Sequence, residues 1–138
     1  MSAAGIIVFR NQNNNPEFLG LIALKKDRKR AKGVYDIPKG QIEPMELSIE
    51  AAYRECLEES GLLPKIVSKS FKSGNITVWL GEVDPDCEIV IEKNPETGYL
   101  EHEGYKWLRP SELKEKCLSY LKPHTVWAEK EVWKYFKF

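Results

Sequence analysis

Short apolar runs alternate with polar turns along most of this chain. AAGIIVFR (Ala3–Arg10) is β-branched and stops at NQNNNP, which predicts a strand followed by a turn. EFLGLIALKK (Glu17–Lys26) predicts its hairpin partner, and DRKRAKG (Asp27–Gly33) a basic loop. VYDIP (Val34–Pro38) is extended, because Ile37 precedes a proline. The period then changes. Ile49, Tyr53, Cys56 and Leu57 fall on one side at about 100° per residue, which predicts a helix with that stripe on the core. Gly61 stops it and Pro64 prevents its continuation. KIVSKSF (Lys65–Phe71) and NITVWLGEV (Asn75–Val83) predict strands joined near Ser73-Gly74-Asn75, and CEIVIE (Cys87–Glu92) another short strand. A polar loop over 94–104 leads to a last strand, YKWL (Tyr105–Leu108). Pro110-Ser111 is a good helix entry. Val126, Val132, Trp133 and Phe136 share helical spacing, which predicts a terminal helix on the sheet. The order strands, helix, strands, helix predicts an α/β (α+β) sandwich, with 1–138 as a single domain.

Charge and composition exclude several classes. Hydrophobic residues make up 42% and charged residues 30%, which excludes a disordered chain. Formal net charge is +0, which argues against a dedicated nucleic-acid binder with a broad basic field. Cys56, Cys87 and Cys117 are odd in number and lack C-x-x-C spacing, so free thiols are expected. No apolar run approaches the roughly 20 residues that span a bilayer, and MSAAGIIVFRNQ lacks the basic start of a signal peptide. A reducing, cytoplasmic setting without membrane contact is expected.

The segment Gly40–Leu62 carries six glutamates in 23 residues. Like charges one turn apart cost a helix a few tenths of a kcal/mol per pair, roughly, so the crowding calls for a compensating partner. With Glu55 at zero on a helical wheel, Glu58 lies about −60° and Glu59 about +40° away. All three share a face, with Ser48, Ala51 and Ala52 one turn earlier leaving open space beside them and the core stripe expected opposite. Oxygen-only ligation of this kind suits Mg²⁺ or Mn²⁺ and not Zn²⁺. Magnesium shares its remaining positions with waters and substrate phosphates, which is chemistry for splitting a polyphosphate. A solvated acidic face is the bland alternative on the three residues alone.

The wider pattern favours the metal. Gly40, Glu46, Arg54-Glu55, Cys56, Glu58-Glu59 and Gly61-Leu62 match G-x5-E-x7-R-E-U-x-E-E-x-G-U, with Cys56 a small hydrophobe at the first apolar position. The chain therefore resembles the Nudix hydrolases. The resemblance implies a loop–helix–loop catalytic motif in an α/β/α sandwich with a mixed sheet. It implies Glu55, Glu58 and Glu59 as metal ligands, with the Gly40 carbonyl beside them. It implies a Glu46–Arg54 ion pair bracing the helix entry, away from the metal. The implied reaction is water attack at phosphorus in a nucleoside diphosphate linked to another group, with Mg²⁺ (or Mn²⁺) as cofactor.

Weaker outer motifs bear on the substrate. AAGIIVFR (Ala3–Arg10), VWLGEV (Val78–Val83) and EHEGYKWL (Glu101–Leu108) together resemble the subgroup that cleaves diadenosine tetraphosphate asymmetrically, to ATP and AMP. The resemblance implies Glu101 as a further catalytic carboxylate, with Glu103 as its competitor. It implies Lys39, His102 and Tyr105 as substrate-binding residues. One departure matters: Val78 stands where the subgroup has an aromatic that stacks adenine. Tyr35, Tyr99, Phe71 and Tyr120 are the candidates to replace it. The basic run Lys25, Lys26, Arg28, Lys29, Arg30, Lys32 supports an alternative, removal of pyrophosphate or of the cap from an RNA 5′ end. A non-catalytic nucleotide-binding module is the third reading. No obligate protein partner is evident.

Overall fold

The computed structural model describes residues 1–136. Its eight strands form one mixed sheet, built on β1 (Ala3–Gln12). β2 (Asn15–Ala23) pairs antiparallel with β1 through a two-residue turn, with Asn13 and Asn14 at φ 52° and 66°. Asparagine tolerates that conformation, and such a turn matches the twist of a hairpin. β3 (Tyr35–Asp36) lies on the far side of β2. β4 (Lys39–Gln41) returns to pair with the start of β1, from Ala3 to Gly5. β7 (Ile76–Val83) runs parallel to β1 along its length, and β8 (His102–Leu108) adds antiparallel to β2.

Each strand's alternation divides the core into two layers. Ile7, Phe9, Phe18, Val78, Leu80 and Leu108 face α3 (Pro110–Lys116) and α4 (Lys122–Val132). Ala4, Ile6, Val8, Leu19 and Leu21 face α2 (Ser48–Ser60). The expected sandwich is thus present. Among the described residues no helix is long and apolar enough to cross a membrane.

Several boundaries differ from expectation. The basic loop is a helix, α1 (Lys25–Ala31), so β2 ends at Ala23. Lysine, arginine and alanine are strong helix formers, and Arg28, Lys29 and Arg30 crowd the last turn where the dipole favours cations. The strand expected over 65–71 divides into β5 (Lys65–Ile66) and β6 (Phe71–Ser73). Between them the Ser68 hydroxyl accepts from the Leu80 amide at 2.9 Å, taking the place of a ladder carbonyl. Cys87–Glu92 is not a strand. Its alternation survives, since Cys87, Ile89 and Ile91 pack on the α2 layer, but among the described residues it pairs with no strand. The terminal helix runs from Lys122 to Val132 and gives way to a 3-10 turn at Trp133–Tyr135. It buries His124, Thr125, Ala128 and Val132, leaving Val126 half-buried.

The largest correction concerns α2. Ala51, Ala52 and Cys56 are fully buried, while Leu57 is 48% exposed and Ile49 and Tyr53 are only half-buried. The alanines do not leave open space. They let the helix approach β1 and β4 closely. Glu59, two turns after Ala52, lies on the buried side and is only 6% exposed. The carboxylate face and the core face therefore overlap.

Candidate active site

Close contact between β4 and α2 builds the first part of the site. At Gly40 an added Cβ would overlap the Glu55 carboxylate, so only glycine lets that side chain lie on the loop. Gly40→Ala is accordingly expected to displace Glu55 and lower kcat by about 10²-fold, a loss typical of a misplaced catalytic group. Steady-state kinetics beside a thermal-unfolding curve checks this, since the midpoint should move far less than the rate.

Arg54 ties the motif together. Its Nε donates to Glu46 Oε2 at 2.8 Å, and Nη2 donates to Glu46 Oε1 at 3.0 Å and to the Gln41 carbonyl at 2.9 Å. The hydrogen bonds from Arg54 hold the Glu46 carboxyl below its usual range. Nη1 meets Glu55 at 2.8 Å and Glu58 at 3.6 Å. The expected brace is present, but it is not away from the proposed ligands: one guanidinium serves both.

Glu59 is a buried carboxylate with an unsatisfied oxygen. Its Oε2 is buried without a hydrogen-bond partner. Burial pushes its carboxyl well above the usual range, and the Glu55 carboxyl and the Asp36 charge push the same way. Burial and Glu55 also raise Glu58, which is one-third exposed. Among the described residues no three of His, Cys, Asp or Glu are gathered closely enough to hold a metal as they stand. The donor set nevertheless fits a hard divalent cation: all oxygen, one carboxylate orphaned, and Glu58 exposed enough to turn. A void of about 10 Å³, the size of one small particle, lies among Glu58, Glu59, Glu92, Glu101 and His102.

A pH dependence follows for the metal-free protein. Glu59 binds its proton more tightly folded than unfolded. That contribution is fully present below the unfolded value of 4.5 and is lost as pH rises through the raised folded value. In chelator, Glu59→Gln should match wild type near pH 4 and exceed it by roughly 1–3 kcal/mol in mildly alkaline buffer, the scale of an unsatisfied buried polar group. Calorimetry across that range reads the difference.

Asp36, which sequence reasoning passed over, organises the rest. Its Oδ2 accepts from His102 Nε2 at 2.9 Å, and Lys39 Nζ lies 3.0 Å from Oδ1. Burial alone would raise the Asp36 carboxyl. The Lys39 charge and the His102 hydrogen bond outweigh it and hold it below the usual range. Burial would likewise lower Lys39, but Asp36, Tyr120 and Glu59 raise it. His102 is no surface residue, being 4% exposed, and its Nε2 lies 3.8 Å from Glu59 Oε1. The sequence signal for Asp36 was a charged residue inside an extended apolar run.

These groups floor a cavity of about 920 Å³. Lys26 and Arg30 of α1 line its wall, as do the exposed Tyr99 and Tyr120. Glu101 also lines it and accepts from Asn94 Nδ2 at 2.9 Å. Glu103 does not: it accepts from the Lys25 amide and from Arg28, fastening α1 to β8. Tyr105, opposite Leu21 on β8, is absent from the lining. Of the aromatic candidates, Tyr35 is buried in the core and Phe71 is stacked on Trp127 at 5.2 Å. Val78 is fully buried, so that position faces the α4 layer and no ligand.

Comparison with known proteins supplies the context. The NUDIX domain model matches residues 1–130. The rat bis(5′-nucleosyl)-tetraphosphatase (asymmetrical) is 32% identical, over 85% of this chain and 82% of the relative. The pig protein of the same name is 30% identical over the same shares. Among solved structures, a Caenorhabditis elegans Ap4A hydrolase binary complex superposes with TM-score 0.71 at 18% identity, covering 95% of this chain and 98% of that one. A Nudix hydrolase from M. smegmatis gives TM-score 0.70 at 14% identity, covering 99% and 88%.

Proposed function

Since the chain belongs to the Nudix family and is a hydrolase acting on phosphoanhydride bonds, we propose that it cleaves a dinucleoside polyphosphate, diadenosine tetraphosphate to ATP and AMP, with Mg²⁺ or Mn²⁺. The supporting observation is the cavity itself. It places carboxylates and a lysine on one floor, cations on one wall and two open tyrosines at its edges. A volume of about 920 Å³ leaves room for more than one nucleoside.

Glu55, Glu58 and Glu59 would hold the cation, with the Gly40 carbonyl beside them. A cation held by these residues would supply positive charge to the reacting phosphoryl group. Glu101, on the cavity wall, takes the proton of the attacking water. Lys39 opposes the phosphate charge from the floor, and Lys26 and Arg30 do so from the wall. Tyr99 and Tyr120 offer ring faces to the bases. The three free cysteines accord with a reducing cytoplasm.

RNA 5′-end hydrolysis is less well supported. Of the basic run, Arg28 is committed to Glu103 and the Ala23 carbonyl, and only Lys26 and Arg30 line the cavity. A binding module without catalysis has no use for an orphaned Glu59. The test is a comparison of diadenosine tetraphosphate with 5′-triphosphate RNA. Changing Lys26 and Arg30 together to alanine should raise KM for the dinucleotide about tenfold with kcat little changed, the effect of uniform binding lost. Faster turnover of RNA, with a steep salt dependence, would favour the second reading.

A further inference from the structure

We propose that Asp36 is a positioning residue of the hydrolytic site, holding the Lys39 ammonium and the His102 imidazole in place on the cavity floor beside Glu59. The proposal rests on that cavity being the substrate site. A carboxylate on the floor of a polyphosphate cavity repels the ligand, so its presence is accounted for by what it holds.

Both carboxylate oxygens are in use. Oδ1 accepts from the Ile37 amide at 2.8 Å and meets Lys39 Nζ at 3.0 Å. Oδ2 accepts from His102 Nε2 at 2.9 Å, with Lys39 Nζ at 3.3 Å. The two side chains come from different strands, β4 and β8, and line the same cavity. An ammonium on a four-carbon stem is mobile unless held. Here Asp36 fixes it on one side, and the Tyr120 ring lies 5.3 Å from it.

The hold on His102 is chemical as well as spatial. An ionised carboxylate only accepts, so the proton between the two groups is carried on Nε2. Glu59 Oε1 lies 3.8 Å from the same nitrogen. With its own oxygens occupied, Asp36 reaches the substrate only through Lys39 and His102.

The experiment has two arms. Kinetics on diadenosine tetraphosphate compares wild type, Asp36→Asn, Lys39→Met and the double variant. Asparagine keeps the shape and an acceptor for His102, but removes the charge that holds Lys39. Each single change should lower kcat/KM about 30-fold, and the double should fall no more than about threefold below the worse single, since residues acting as a unit are not additive. Losses that multiply to about 10³-fold would overturn the proposal. The ¹⁵N spectrum of the His102 imidazole in wild type is the second arm. An Nε2-protonated tautomer supports the assignment and an Nδ1-protonated one overturns it. That spectrum is read on the unmodified protein, so it decides even where a variant does not fold. A wild type inactive on every polyphosphate defeats the substrate reading and leaves the tautomer to judge Asp36.

Discussion

Glu59→Gln should lower kcat by about 10³-fold, close to 4 kcal/mol of transition-state stabilisation, while KM changes little. The side chain is 6% exposed and one of its oxygens has no protein partner. Such a group is unfavourable to the fold unless a ligand satisfies it. The amide keeps the volume and removes the charge. The variant therefore separates the two roles: catalysis collapses while the metal-free protein becomes no less stable. Mn²⁺ titration followed by electron paramagnetic resonance should show weakened binding. Activity within tenfold of wild type would remove Glu59 from the catalytic set.

Arg54→Ala should do the opposite to stability. It leaves Glu46, Glu55 and Glu58 facing one another without a counter-charge, and the Gln41 carbonyl without its donor. Breaking a fully buried pair costs about 3–5 kcal/mol. The Arg54 side chain is 26% exposed, so about 2–3 kcal/mol is expected after discounting for solvent screening. That corresponds to a midpoint lower by roughly 10 °C. Mn²⁺ should restore more stability to this variant than to wild type, because a cation replaces the missing charge. Activity should stay down by about 10²-fold, because the loop is no longer tied to the helix. Thermal unfolding with and without Mn²⁺ tests both halves. An unchanged midpoint in chelator would contradict the brace.

The glutamate motif was legible because its chemistry is local. Glycine, arginine and three carboxylates sit at fixed spacing on one loop and one helix, and the structure brings Gly40, Arg54 and Glu55 together as that spacing implies. The sheet was legible wherever apolar alternation ran for a full strand, as in β1, β2 and β7. The errors came from tertiary packing. Leu57 looked like core and is exposed, because alanine and cysteine, not the larger side chains, allow α2 to approach β1. Cys87–Glu92 alternates like a strand but packs on the α2 layer without joining the sheet. Asp36 showed only as a charge in an apolar run, and its role could not be read because its partners are Lys39, three residues on, and His102, on another strand. The difference between Glu101 and Glu103 could not be read from spacing. It depends on α1, which engages Glu103 through Arg28 while Glu101 lines the cavity.

The account turns on what the cavity hydrolyses. Purified protein incubated with diadenosine tetraphosphate and Mg²⁺, with products separated by ion-exchange chromatography, tests it most directly. The account predicts ATP and AMP in equal amounts, abolished by chelator and by Glu59→Gln. Two molecules of ADP, or the same turnover in excess chelator, would contradict it.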